Sequence, residues 1–191
     1  KEIDSFIDCW NKWAIEDGFN GIFFVKTDDA HSKKGLGKFN ASYRREPFYT
    51  FGNKLGILGM GNRLVKRKGL PVLNKILSKY NKGIVSYKYD YEKLWKSICK
   101  NDLNESSIPG MIADWDNTAR KWYNGQVLTG VSIDIFEEYF EKLLKKSNEN
   151  NVPFIMINAW NEWAEGAYLE PDTMNGYKYL QAIEKVTKKW L

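Results

Sequence analysis

The stretch Phe-Ile-Met-Ile-Asn-Ala at residues 154–159 is the most informative part of this sequence for the fold. It is a short, continuous apolar run without polar alternation, which is typical of a strand buried on both faces. Such strands occur in parallel sheets whose two faces are covered by helices. We therefore predict a β-strand from Phe154 to Ala159 within an α/β protein.

The sequence predicts helices and further strands as well as this one. Apolar residues at helical spacing predict helices over residues 2–17, 54–82, 87–98, 133–146 and 177–191. Short apolar runs predict strands over residues 21–26 and 108–114, and residues 43–51 are β-prone but interrupted by Pro47. The alternation predicts βαβ units and a parallel sheet, in which chemistry gathers at the carboxyl ends of the strands.

Composition limits both the domain count and the possible chemistry. The 191 residues predict a single domain over residues 1–191, with a basic helical insertion at about residues 54–82. No apolar run reaches the roughly 20 residues that span a bilayer. One histidine, His31, and two distant cysteines, Cys9 and Cys99, argue against a His-based zinc site, a Ser-His-Asp site and a disulfide framework. Acid–base chemistry must then come from carboxylates.

Charge is distributed unevenly along the chain. Residues 33–100 carry 17 basic and 3 acidic side chains, whereas residues 1–32 and 101–191 have net charges of −4 and −5. A basic segment of this size can face an anionic substrate, a membrane surface or simply solvent. No nucleic-acid-binding motif is present, so no nucleic-acid partner is predicted. Because the first residue is Lys1 rather than Met, we expect the chain to be a piece of a longer protein.

Residues 158–172 concentrate acidic, amide and aromatic side chains directly after the predicted strand. Glu162 and Glu165 are three residues apart, a spacing that a helix or turn places on one side. Two carboxylates in a partly apolar cleft have pKa values that move apart, so one can act as an acid and the other as a base. The alternative is an acidic first turn of a helix. The interleaved rings suited to the apolar faces of sugars are Trp160, Trp163 and Tyr168.

A second polar cluster follows the strand predicted at residues 108–114. Asp116 could bind hydroxyl groups and Arg120 an anionic group, since guanidinium pairs well with phosphate. The alternative is an Asp–Arg ion pair that braces the exit from the strand into the loop. Arg44 and Arg45 also follow a possible strand and could line the same cleft or form a surface ion pair.

The block at residues 158–172, with Gly176-Tyr177 and Tyr179-Leu180 beyond it, strongly resembles the C-terminal motif of the WbsX-type glycosyltransferase family. That family is related to glycoside hydrolase family 99, the endo-α-mannosidases. Residues 114–120 resemble its second hallmark, and residues 87–90 resemble a weaker one. The resemblance implies that this chain is the C-terminal half of a (β/α)8 TIM-type barrel, whose N-terminal half would be its missing partner.

The resemblance also implies roles for individual residues. Glu162-Trp163-Ala164-Glu165 matches the Glu-Trp-x-Glu of the family 99 hydrolases, which implies Glu162 as base and Glu165 as acid/base in a retaining reaction assisted by the sugar 2-hydroxyl. No metal ligand and no cofactor are expected. The substrate-binding residues expected from the two polar clusters are Asn158, Trp160, Asn161, Trp163, Tyr168, Glu170, Asp114, Asp116 and Arg120.

The function implied is glycosyl transfer in lipopolysaccharide or surface polysaccharide biosynthesis, with a carbohydrate substrate and a nucleotide-sugar or a lipid-linked acceptor. Two alternatives stay open: a retaining endo-acting hydrolase of mannose-like glycans, and a non-catalytic carbohydrate-binding module. We also expect a cytoplasmic location, with peripheral contact to the inner membrane through residues 54–82. A homo-oligomer could cover the strand edge that a half-barrel leaves open.

Overall fold

A computed structural model describes residues 2–29, 35–51, 69–80, 82–83 and 87–190 of this protein. Most of the basic helix predicted at residues 54–82 lies outside these ranges, as does His31. Within them, no helix combines the length and apolar character that crossing a membrane requires.

Short parallel strands form the centre of the described structure. The strands are β1 Val25–Asp28, β2 Ala41–Arg44, β3 Tyr87–Asp90, β4 Ser107–Ile108, β5 Gly110–Ile112, β6 Gln126–Thr129, β7 Met156–Asn158, β8 Asn161–Glu162 and β9 Ala167–Tyr168. β1 pairs in parallel with β2, β2 with β4, and β5 with β7. A separate parallel pair is formed by β3 and β6, and an antiparallel hairpin by β8 and β9.

The segment from Ser107 to Ile112 joins the strand pairs into one series. Only Pro109, which has no N–H to donate, separates β4 from β5, so this segment pairs with β2 through β4 and with β7 through β5. The series β1, β2, β4–β5, β7 follows the order of the chain. Gly110 permits the close approach to β2, because a Cβ atom there would lie 2.0 Å from the carbonyl oxygen of Arg44.

Helices alternate with these strands and cover them. The helices are α1 Glu2–Glu16, α2 Phe48–Thr50, α3 Leu70–Leu77, α4 Tyr91–Lys100, α5 Thr118–Lys121, α6 Ile133–Glu149 and α7 Lys178–Trp190. The helix α4 begins where the Asp90 side chain accepts a hydrogen bond from Lys93 N at 2.8 Å, and α6 begins where Ser132 Oγ accepts one from Ile135 N at 3.3 Å.

The core lies between β5 and the three helices α4, α6 and α7. α6 packs against α4 on one side and α7 on the other, so its buried stripe is covered twice. The Phe136 ring joins both contacts, at 5.8 Å from Trp95 and 5.0 Å from Tyr179 between ring centroids, edge to face in each case. This packing fixes the strand ends on which the polar clusters sit.

Helix α1 confirms the helical spacing predicted at residues 2–17, but its apolar face is left open. Among its residues only Ile7 is buried. The α1 apolar face consists of four side chains that are each about half exposed: Ile3, Phe6, Trp10 and Trp13. The ring centroid of Trp10 lies 5.6 Å from that of Phe6 and 5.6 Å from that of Trp13. This face places three exposed aromatic rings side by side.

Several predicted boundaries need correction. The helix predicted at residues 87–98 is wrong at its start, because residues 87–90 form β3 and the Asp90 cap delays the helix to Tyr91. The β-prone segment 43–51 ends as a strand at Arg44 and turns helical at Phe48. β6 is not predicted from the sequence, because its four residues hold only two apolar side chains, Val127 and Leu128. The α/β class with parallel strands is confirmed, whereas the half-barrel stays a prediction.

Candidate active site

The carboxyl ends of four parallel strands meet at one edge of the molecule. Asp28 and Arg44 are register partners at the ends of β1 and β2, and Ile112 and Asn158 at the ends of β5 and β7. Asn158 Nδ2 donates a hydrogen bond of 2.9 Å to the carbonyl oxygen of Glu46, which follows β2. This bond brings the ends of β2 and β7 together, so both polar clusters predicted from the sequence lie at this edge.

Residues 160–170 form a compact hairpin, here called the site hairpin. β8 and β9 are joined by a 3-10 turn at Trp163–Glu165, and the Trp160 carbonyl accepts hydrogen bonds from Leu169 N and Glu170 N at 2.9 and 3.1 Å. Glu162 ends β8 and occupies the N-cap position of the 3-10 turn, and Glu165 is the acidic residue within that turn. The predicted alternative of an acidic first helical turn is therefore met here in the form of a single 3-10 turn.

The site hairpin rests on the segment that follows β5. Asp116 N donates to the Glu165 carbonyl at 2.8 Å. Gly166, at a φ of +62°, is needed at this contact, because a Cβ atom there would lie 3.0 Å from Asp116 N. The two candidate clusters thus form one surface through backbone contacts.

The two candidate catalytic carboxylates have different surroundings. The Glu165 carboxylate forms an ion pair with the guanidinium of Arg120, and its side chain is 16% exposed. Glu162 is exposed. The predicted alternative of an Asp–Arg pair is wrong for Arg120, because Asp116 Oδ1 instead accepts hydrogen bonds from Thr118 N and Oγ1 at 2.8 and 2.5 Å.

Two of the predicted sugar platforms stack on each other. The rings of Trp163 and Tyr168 lie 3.8 Å apart between centroids, at 16° to one another. Trp163 Nε1 donates to Glu170 Oε2 at 2.5 Å, and the Tyr168 hydroxyl donates to Asp172 Oδ2 at 3.0 Å. Glu170 therefore holds an indole in place. Trp163 remains 50% exposed and Trp160 54%, so each still offers ring surface to a ligand.

Asp114 sits just beyond β5 in a sheltered position. Its Oδ1 accepts a hydrogen bond from Trp115 N at 2.6 Å. Burial raises the pKa of Asp114 to about 6, the hydrogen bond from Trp115 opposes this rise, and the nearby Asp116 carboxylate adds to it. A carboxyl group with a pKa near 6 exchanges its proton close to neutral pH, which suits acid–base work as well as hydroxyl binding.

Two tyrosines bind the backbone at the end of β5, and the sequence analysis does not assign either of them to the site. The hydroxyl groups of Tyr91 and Tyr179 donate to the Ala113 carbonyl at 2.6 and 3.3 Å. Burial is the main cause that raises the pKa of both tyrosines, so both remain neutral donors. A local pattern could not reveal them, since they come from α4 and α7, 22 and 66 residues from Ala113.

The remaining predicted site residues lie at the same edge. Asn161 is exposed on β8, and Asn158 is engaged with Glu46 as described above. Within the described ranges, no three His, Cys, Asp or Glu side chains come close enough to share a metal ion.

Comparisons with known proteins place this chain in a family. Two curated relatives, both titled "Uncharacterized protein WxcX" and from Xanthomonas campestris pv. campestris, strains B100 and ATCC 33913, are each 32% identical to this chain over 101 and 100 residues. Each match covers about half of this chain and 14% of the relative. No solved structure matches. The sequence model of glycosyltransferase WbsX matches residues 1–183, nearly the whole chain, and this protein therefore belongs to the WbsX glycosyltransferase family.

Proposed function

We propose that this chain contributes the acid–base and sugar-binding edge of a glycosyltransferase that builds a surface polysaccharide. The observation that carries the proposal is the site hairpin, which combines Glu162, Glu165 and an exposed tryptophan at the carboxyl edge of a parallel sheet in a member of the WbsX family. Carboxylates beside exposed aromatic rings suit a polyhydroxylated substrate, because the rings cover its CH faces while the carboxylates bind its hydroxyl groups.

The proposed reaction proceeds in two balanced steps. In the first, Glu162 takes the proton of the sugar 2-hydroxyl, whose oxygen attacks the anomeric carbon while Glu165 protonates the departing oxygen. In the second, Glu165 takes the proton of the acceptor hydroxyl, which opens the 1,2-anhydro ring, and Glu162 returns its proton to the 2-oxygen. An acid must carry a proton, and a guanidinium stabilises the ionised form of a neighbouring carboxylate. The first step therefore requires the substrate to separate Glu165 from Arg120.

The test replaces each carboxylate in the full-length protein. We expect Glu162→Gln or Glu165→Gln to reduce the transfer rate by about 10²- to 10⁴-fold, the usual contribution of a positioned acid or base. Glu184→Gln is the matched control, because Glu184 is exposed on α7 and pairs only with Lys188 among the described residues. A loss below tenfold in both site variants contradicts the catalytic assignment.

A second candidate, the carbohydrate-binding module, is favoured by one observation. Two carboxylates of the site hairpin are already engaged, Glu165 with Arg120 and Glu170 with Trp163. In that case the variants keep the transfer rate but weaken sugar binding, which a glycan array and calorimetry on the same proteins distinguish. Released reducing sugar, in place of transferred product, would instead identify the retaining hydrolase acting on mannose-like glycans.

We also propose that the protein contacts the inner membrane from the cytoplasmic side through the basic segment 54–82. Its support is compositional, because eight basic and no acidic side chains accompany leucines and isoleucines there. Each basic residue near an anionic surface contributes about 1 kcal/mol. Sedimentation with anionic vesicles should exceed that with neutral vesicles and fall as salt rises. Equal binding to both would contradict the proposal.

A further inference from the structure

The guanidinium of Arg44 is held at the site edge without a full set of acceptors. Arg44 is the last residue of β2 and is partly buried. Its Nη1 atom is shielded from solvent and has no hydrogen-bond partner among the described residues. The guanidinium lies 5.3 Å from the centroid of the Tyr49 ring, which supports it without accepting its N–H groups. A shielded cationic donor of this kind calls for an anionic acceptor.

A second guanidinium follows directly in the chain. The Arg45 guanidinium lies 4.8 Å from the centroid of the Phe48 ring, and its Nη2 is 3.8 Å from Asp29 Oδ2. The Arg45 side chain is 46% exposed, so this wide ion pair leaves it accessible to a ligand. Two consecutive arginines, each placed against an aromatic ring, thus end a strand of the parallel sheet.

The segment that carries these arginines is fixed to the site. Asn158 Nδ2 donates to the carbonyl of Glu46, the residue after Arg45, at 2.9 Å. Asn158 ends β7, and the site hairpin starts two residues later. The Arg44 carbonyl itself is in close contact with Gly110 at the start of β5. The arginine pair is therefore held at the edge where the sugar site is proposed.

We propose that Arg44, together with Arg45, binds the phosphate of a phosphate-activated or lipid-phosphate-linked sugar beside the site hairpin. The planar fork of a guanidinium matches phosphate oxygens in pairs, and aromatic support orders the fork in advance. Arg120, the arginine first expected to bind an anion, is engaged with Glu165. This inference rests on the proposed glycosyltransferase function and deepens it, because a phosphate leaving group belongs to transfer rather than to hydrolysis of a plain glycan.

Binding without turnover tests the inference in the full-length protein. Inorganic pyrophosphate, uridine diphosphate and farnesyl diphosphate in micelles are titrated by calorimetry at two salt concentrations. We expect pyrophosphate to bind and Arg44→Met to weaken its affinity at least tenfold. Arg44→Lys keeps the charge but loses the planar fork, so it should show a smaller loss of affinity. It replaces Arg44→Met as the test variant if Arg44→Met does not fold. Lys145→Gln on α6 is the charge-matched control, since Lys145 is exposed and pairs with Glu149.

The probes separate the two sources of phosphate. Tighter binding of uridine diphosphate than of pyrophosphate assigns the subsite to a nucleotide-sugar, and tighter binding of farnesyl diphosphate assigns it to a lipid carrier. The inference is overturned if pyrophosphate does not bind, if the folded Arg44 variants bind it like the wild type, or if glucuronate competes as well as pyrophosphate does. These outcomes are independent of the rates of the Glu162 and Glu165 variants, so either proposal can fail alone.

Discussion

Asp114 shows how one side chain of the site couples to pH. Its folded-state pKa of about 6 lies above the unfolded value near 3.9, chiefly because burial disfavours the charged carboxylate. The folded protein thus binds more protons than the unfolded chain between these two values. The contribution of Asp114 to stability is therefore fully present below about pH 4 and is lost as pH rises through about pH 6.

We expect Asp114→Asn to remove this dependence. The variant should gain stability relative to wild type as pH rises from about 4 to about 7, at most about 1.4 kcal/mol per pH unit and about 3 kcal/mol in total. Urea unfolding at pH 4.5 and pH 7.5 measures the difference. Asp134→Asn, at an exposed position in the first turn of α6, is the control. An equal effect of Asp114→Asn at both pH values would contradict the assignment.

The ion pair between Arg120 and Glu165 yields a second prediction at this scale. Arg120→Gln leaves the mostly buried Glu165 carboxylate without its charged partner, so we expect it to lower the free energy of unfolding by about 1 kcal/mol. Urea unfolding measures the difference. Lys121→Gln is the control for the loss of a positive charge nearby, because Lys121 is exposed. Equal stabilities of the two variants would show that the pair with Glu165 contributes nothing.

At the scale of elements, the site hairpin depends on its docking to the segment after β5. Gly166 and Gly176 have similar backbone conformations, at φ values of +62° and +54°. A Cβ atom at Gly166 would meet the backbone of Asp116 at 3.0 Å, whereas one at Gly176 would meet nothing within 4 Å. Alanine substitutions at the two glycines therefore distinguish the cost of backbone strain from the cost of losing the contact with Asp116.

We expect Gly176→Ala to lower the free energy of unfolding by about 1 kcal/mol, the cost of placing alanine at a positive φ. Gly166→Ala should cost about 1–3 kcal/mol more, because the hairpin must also move away from Asp116. Sugar binding should weaken in Gly166→Ala alone. Denaturant unfolding and calorimetry check both results, and equal losses in the two variants would show that the contact with Asp116 contributes nothing.

At the scale of the whole molecule, the α1 apolar face needs a cover. Contiguous exposed aromatic surface normally marks an interaction site. We expect the isolated chain to self-associate through this face, and Trp13→Lys to shift it toward the monomer in light scattering coupled to size-exclusion chromatography. Met174→Lys is the control, since Met174 is 85% exposed elsewhere. A wild-type chain that stays monomeric at high concentration would contradict the prediction. If the N-terminal barrel half expected from the sequence covers this face, its presence should suppress the association.

Features encoded locally could be predicted from the sequence. The apolar stripe of α6 and its Ser132 cap lie within a few residues of each other, and a pattern of period 3.6 reveals both. The strand at Met156–Asn158 is equally evident as a continuous apolar run. Most candidate site residues could be named from the sequence for the same reason, because residues 158–172 are contiguous and rich in acidic, amide and aromatic side chains.

Features that depend on distant partners were decided by the tertiary structure. Asn158 meets Glu46 across 112 residues, and Tyr179 meets Ala113 across 66, so neither contact leaves a local pattern. The sequence determined that this is an α/β protein in which carboxylates and aromatic rings follow a buried strand. Packing alone decided that Glu165 pairs with Arg120, that Asp114 is sheltered and that Arg44 Nη1 has no hydrogen-bond partner among the described residues. Burial and pairing are properties of the assembled strand ends, since each needs surfaces that the chain brings together only on folding.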